Sequence, residues 1–119
     1  AAQATFDQTG GLHASGLFSS NGELLIIRED VGRHNAVDKI LGHAAREGID
    51  TKSCFLMLSG RISFELMQKA LALGIPLVAG ISAPSSLAVE FAQTSGQTLV
   101  GFLRPPTFNI YAGSERILT

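Results

Sequence analysis

A chain of 119 residues is the size of one domain, and 45% hydrophobic against 16% charged residues lets it bury a sizeable core. Nine basic and ten acidic side chains leave a formal charge of -1, so no global field recruits nucleic acid or an anionic membrane, and any anion site must be local. One cysteine excludes an internal disulfide or a paired-cysteine metal motif, and no apolar run reaches the roughly 20 residues of a membrane span. With no charged-then-apolar leader and no initiating methionine, we expect a cytoplasmic protein, present as a fragment or a processed product.

The first elements expected are "LHASGLF" and "ELLIIRE", a hairpin closed at Asn21-Gly22, where positive φ angles suit a tight turn. It is the one antiparallel pair expected. Ala36, Val37, Ile40, Leu41, Ala44 and Ala45 then recur at helical spacing, in a helix running to Glu47 and stopped by Gly48. "CFLML" reads as a strand buried on both faces. A second helix spans about Ile62 to Leu73 and ends at Gly74 and Pro76. "PLVAGIS" is the next buried strand, "SSLAVEFAQTS" a third helix closed by Gly96, and "TLVGFL" the last central strand. The closing "RPPTFNIYAGSERIL" turns rigidly and returns as an edge segment, since paired prolines cannot sit in a central ladder.

Strands joined through helices run parallel, and right-handed crossovers put their C-terminal ends on one edge, so three helix N-termini should crowd one rim. Each offers unpaired N–H groups and about half a positive charge, which makes the rim a potential phosphate site. The polar clusters fall at these turns: "EDVGRHN" at 29–35, "SGRIS" at 59–63 and "SAPSS" at 82–86. Capping accounts for the Ser, Asp and Asn residues. It does not account for Arg33 and Arg61, two planar charged forks, each preceded by a glycine.

His34 falls at the margin of the apolar stripe and should point inward, either as a core histidine bonded by Asp30 or Asp38 or as a site histidine under the rim. Asn35, Asp38 and Lys39 share the opposite arc, where Asp38 and Lys39 are expected in a solvated face or a local ion pair. His43 reads as a surface residue, and Gly10-Gly11 before His13 is a weak signal. His13, His34 and Cys54 provide no metal-binding pattern, and Cys54, inside an apolar strand, reads as inert packing. Neither a "GxxxxGK[ST]" loop nor a "GxGxxG" after a strand is present, nor a nucleophile elbow.

Taken together, "TGGLHASGLF", "REDVGRHNAVDKILG", "SGRISFELMQKA", "ISAPSSLAVEFA" and "TLVGFLRPPTFNIYAGSERI", from Thr9 to Ile117, resemble the C-terminal domain of the FdhD-type formate dehydrogenase accessory sulfurtransferases. The resemblance implies an α/β, three-layer cytidine-deaminase-like fold over residues 1–119, with an N-terminal antiparallel hairpin and parallel strands joined by helices. It implies binding of molybdenum bis(molybdopterin guanine dinucleotide), with GDP as a mimic, so that sulfur from a cysteine desulfurase can be added before insertion into formate dehydrogenase. A homodimer is implied as well.

In zinc deaminases of that fold, a His-x-Glu and a Pro-Cys-x-x-Cys open the first two core helices. Here those positions resemble "HNA" at 34–36 and "SGRIS", so the histidine persists without the glutamate and cysteines, and no zinc is expected. Matched motif by motif, the implied cofactor contacts are Gly11, His13, Asp30, Arg33, His34, Asn35, Ser59, Gly60, Arg61, Ser63, Ser82, Ala83, Pro84 and Ser85, then Phe102, Leu103, Arg104, Pro105, Pro106 and Thr107. Asp30 could meet a guanine edge and Arg104 a phosphate. The family carries its sulfur on a Cys-x-x-Cys loop that precedes this domain, after a β-rich domain; neither occurs here, and Cys54 does not match that position. The chain is therefore expected to bind but not to transfer sulfur by itself. The alternatives are a non-catalytic dimerisation or interaction domain, and a residual hydrolase of the same fold.

Overall fold

The computed structural model describes residues 13–30, 33–104 and 107–114. Strand β1 (His13–Ser19) turns back into β2 (Leu24–Asp30), and Gly22, at φ +88°, supplies the left-handed backbone of the turn and donates to the Ser19 carbonyl. Helix α1 (Arg33–Glu47) buries Ala36, Val37, Ile40 and Ala44. A 3-10 turn at Thr51–Ser53 leads into β3 (Cys54–Leu58). Helix α2 (Phe64–Ala72), β4 (Leu77–Gly80), helix α3 (Ser86–Ser95), β5 (Thr98–Arg104) and β6 (Thr107–Ala112) complete the chain order. Gly96 ends α3 at φ +83°, its N–H bonded to the Ala92 carbonyl.

The strands form one mixed sheet in the order β2-β1-β3-β4-β5-β6. Strands β3, β4 and β5 are parallel, as expected of strands joined through helices. The hairpin is not the one antiparallel pair: β1 also runs antiparallel to β3, and β6 antiparallel to β5. The crossover through α1 steps over β1, so β1 is sealed on both sides by neighbours. Pairing Ser15–Ser19 with Cys54–Leu58 satisfies backbone groups that the hairpin alone would leave open.

The layering also differs from expectation. One apolar cluster takes in Val37, Ile40 and Ala44 of α1, Leu66, Met67 and Ala70 of α2, and Ala88 and Ala92 of α3, together with Leu17, Leu56, Leu58, Val78 and Leu99 from the sheet. All three helices thus cover one face, and the described residues make two layers instead of three. The cause is topological, since successive right-handed crossovers that all progress the same way across a sheet put every helix on the same side. The opposite face carries a smaller cluster of Ala14, Phe18 and Met57, extended by Phe55, whose ring stacks on Phe18 at 5.1 Å. In β3 only Phe55 is half-buried, so the expectation of a strand buried on both faces holds for its other residues.

Helix α2 begins two residues later than its spacing predicts. Ile62, wholly buried, forms a parallel bridge to Pro84, and Ser63 serves as the N-cap. None of the described helices is long and apolar enough to cross a membrane.

Candidate functional site

Because β2, β3, β4 and β5 all point the same way, their C-terminal ends and the helices that follow them share one edge of the sheet. The pairings His13 with Asp30, Ser15 with Leu58, Leu58 with Gly80 and Ala79 with Val100 bring the three loaded turns to this rim. Strand β5 runs on to Arg104, past the last residue of β4, so the β5–β6 hairpin stands above the rim, with Arg104 paired to Thr107. The backbone of Asp30, Arg33, His34, Phe102 and Leu103 belongs to the same edge. Gly11, Pro105 and Pro106, and the side chains of His13, Asp30, Arg33, His34, Phe102, Leu103, Arg104 and Thr107, lie outside the described residues.

The turns after β3 and β4 are welded together. Ser85 N–H donates to the Ile62 carbonyl at 2.9 Å beside the Ile62–Pro84 bridge. Beneath them, Gly80 and Gly101 leave room: a Cβ on Gly80 would lie 2.8 Å from Ile62 Cδ1, and one on Gly101 2.9 Å from Pro84 Cδ. Two expected contact serines are occupied as caps. Ser63 Oγ accepts from Leu66 N–H at 3.3 Å and Ser85 Oγ from Ala88 N–H at 3.1 Å. Ser59 instead pins its turn to β1, since its Oγ accepts from Ala14 N–H at 2.8 Å and its own N–H donates to the Ala14 carbonyl at 3.0 Å. Each cap satisfies one orphan donor and leaves the N–H groups of the first two helical residues facing the rim.

Arg61 is exposed, and among the described residues its guanidinium makes no hydrogen bond or ion pair. A planar, permanently charged fork therefore stands free beside the capped starts of α2 and α3, while Gly60, Ser82, Ala83 and Pro84 are half-buried around it. The arrangement presents donors and positive potential, which is the chemistry of anion binding. Asn35 is exposed in the first turn of α1. Asp38, also exposed, is drawn away from the rim by Lys69 of α2 at 2.8 Å, an interhelical pair instead of a local one. His43 is half-buried and not a surface residue, its Nδ1 lying 3.3 Å from Nη2 of Arg28.

Cys54 sits at the other end of the sheet, at the start of β3, beside a cleft of about 300 Å³ lined by Ser20, Lys52, Ser53, Phe55, Pro76 and Leu77. It is 5% exposed, and its thiol donates to the Asp50 carbonyl at 3.4 Å. Burial, with the Asp50 charge second, pushes its pKa up. The thiol therefore stays protonated at neutral pH, and iodoacetamide should modify the native protein far more slowly than the urea-unfolded one, followed by intact mass. The raised pKa also predicts lower stability in alkali: above the ordinary thiol range the unfolded chain has lost this proton while the folded one retains it, so stability falls as pH climbs through that window.

The model of the FdhD/NarQ family matches residues 1–118. The chain belongs to the FdhD/NarQ family. Among curated FdhD/NarQ relatives, the "Sulfur carrier protein FdhD" of Streptomyces avermitilis is 60% identical over 118 residues, covering 98% of this chain and 42% of that one. Its namesake from Thermoplasma volcanium is 49% identical over 116 residues, with the same coverage. The FdhD/NarQ chain thus spans less than half the length of these relatives. A crystal structure described as a formate dehydrogenase accessory protein, from Desulfotalea psychrophila, superposes with a TM-score of 0.85 at 38% identity, covering 98% of this chain and 50% of that one.

Proposed function

We propose that this domain is the cofactor-binding part of a formate dehydrogenase accessory protein, gripping the guanine dinucleotide end of molybdenum bis(molybdopterin guanine dinucleotide). The observation that carries the reading is the free guanidinium of Arg61 beside two adjoining helix N-termini on a shared rim. That donor set fits a pyrophosphate, which presents acceptor oxygens and negative charge and no donors. The bound group supplies the metal centre that takes up sulfur. This chain's own residues hold and orient it: backbone N–H groups and Arg61 meet phosphate, and Arg33, Arg104 and Asp30 stand along the same edge in the backbone order described above.

On this reading sulfur arrives from a cysteine desulfurase and the loaded cofactor goes to formate dehydrogenase, in the cytoplasm, with two copies of the chain associating. Cys54 is not the carrier, because a protonated thiol buried at the opposite edge can neither attack nor reach the rim. The strand order and the two core helix starts support a cytidine-deaminase-like architecture whose metal-ligating positions have been given over to ligand binding.

The test is a calorimetric titration of GDP into the purified chain, repeated with Arg33→Ala. Saturable heat that weakens in the variant is expected. Absence of both heat and thermal stabilisation by GDP in the native chain would overturn the proposal in favour of a pure interaction domain.

A further inference from the structure

Tyr111 is the chain's one tyrosine, and nothing near it in sequence suggests a role at the rim. It belongs to β6, is half-buried, and packs against the apolar cluster that includes Ala88 and Ala92 of α3, which puts its ring on the helix-covered side of the sheet. The ring reaches along that side to Gly101 of β5. A Cβ built on Gly101 would lie 2.9 Å from Cε2 of Tyr111, 2.9 Å from Cδ of Pro84 and 3.3 Å from the Ser82 carbonyl oxygen. Two atoms so close to one point flank it, so the tyrosine ring and the proline close over Gly101 and leave no space for a methyl group. Close approach, and not a left-handed backbone, is what requires glycine here.

Pro84 belongs to the turn that opens α3. It bridges to Ile62, and Ser85 beside it caps the helix and donates its own N–H to the Ile62 carbonyl. This turn therefore carries the unpaired N–H groups at the start of α3 and, by way of Ile62, the backbone next to Arg61. The height at which Pro84 rests over β5 fixes where those donors stand. The Tyr111 hydroxyl makes no hydrogen bond among the described residues, so what the residue brings to this contact is the flat thickness of its ring. We infer that Tyr111 is a positioning residue of the rim site: its ring, laid on Gly101 against Pro84, holds the turn of residues 82–85 where the N-terminus of α3 meets a phosphate oxygen of a bound nucleoside diphosphate. Charge-assisted hydrogen bonds weaken steeply with poor geometry, so a small displacement of the turn costs affinity without unfolding the protein. The inference rests on the nucleotide-binding reading of this rim and adds to it a residue that touches no ligand.

The experiment is calorimetric titration of GDP, and of inorganic pyrophosphate, into native protein, Tyr111→Phe, Tyr111→Leu and Gly101→Ala, at a temperature where thermal melting shows each to be folded. Tyr111→Phe keeps the ring and should bind GDP as the native protein does. Tyr111→Leu, apolar but without the ring, should bind about 10-fold more weakly, the effect of one hydrogen bond to a charged group. Gly101→Ala wedges the ring and Pro84 apart, should show a similar loss, and serves if the leucine variant folds poorly. Pyrophosphate affinity should fall in parallel, because the displaced donors meet phosphate. Lower melting temperatures with GDP affinity unchanged in both Tyr111→Leu and Gly101→Ala would overturn this inference alone, since the contact would then serve the fold only. A loss in Tyr111→Phe as large as in Tyr111→Leu would also overturn it, since the hydroxyl would then be the working group. If the native chain itself gives no GDP signal, the proposed function fails first and the inference with it.

Discussion

Replacing Arg61 with alanine should weaken GDP binding roughly 10- to 100-fold without lowering the melting temperature. The first half follows from the worth of a hydrogen bond to a charged group, about 1.5–3 kcal/mol, with about 1.4 kcal/mol per decade of affinity. The second half follows from exposure. The side chain is exposed and, among the described residues, makes no hydrogen bond or ion pair, so its removal leaves nothing unsatisfied behind. Arg61→Lys separates charge from shape: a lysine retains the positive charge but loses the flat two-pronged donor, and an intermediate affinity is expected. Raising the salt concentration should narrow the gap between native protein and variant, since an exposed charge is screened. Calorimetric titration of the three proteins at two ionic strengths reads all of this, and an affinity unchanged in Arg61→Ala would remove the arginine from the site.

The largest effect on stability is expected at Leu56. It lies in the middle of β3, paired with Leu17 on one side and Val78 on the other, and all three are wholly buried. Helices α1, α2 and α3 share the cluster it fills, so truncation to alanine opens a space bordered by three helices and by sheet neighbours fixed in their ladders. Such a site collapses poorly. The cost should be about 2–5 kcal/mol, a large part of the 5–15 kcal/mol that a domain typically holds. Urea unfolding followed by circular dichroism should show a lower midpoint with an unchanged slope, and the melting temperature should drop by on the order of 10 °C or more. A loss below 1 kcal/mol would mean that the cluster is looser than its burial indicates.

These two residues illustrate which parts of the molecule could be read from the chain alone. Arg61 stands out because Gly60-Arg61 interrupts a run of cap-forming serines, and a cap needs no arginine. Ser63 and Ser85 were legible as helix starts, although their oxygens are engaged as caps. Ser59 was not legible as a pin, because its partner Ala14 lies 45 residues away. Asp38 lies on the solvated face that helix spacing predicts, but its partner Lys69 comes from another helix, and His43 departs from its expected surface position because Arg28 reaches it from a strand. Ser15 carries no local mark at all, and its burial emerges only when β1 is closed between two neighbours.

The amino-acid sequence by itself determined the local elements. The turn at Gly22, the stop at Gly96 and the runs of strand and helix obey steric and capping rules that act within a few residues. It also determined that the strands joined through helices run parallel, and hence that three helix starts share an edge. Tertiary structure alone decided that β1 inserts between β2 and β3 and that the three described helices lie on one face. Those outcomes depend on pairings between segments far apart in the chain, whose free energy comes from shared burial and completed backbone ladders. No window of neighbouring residues contains that information.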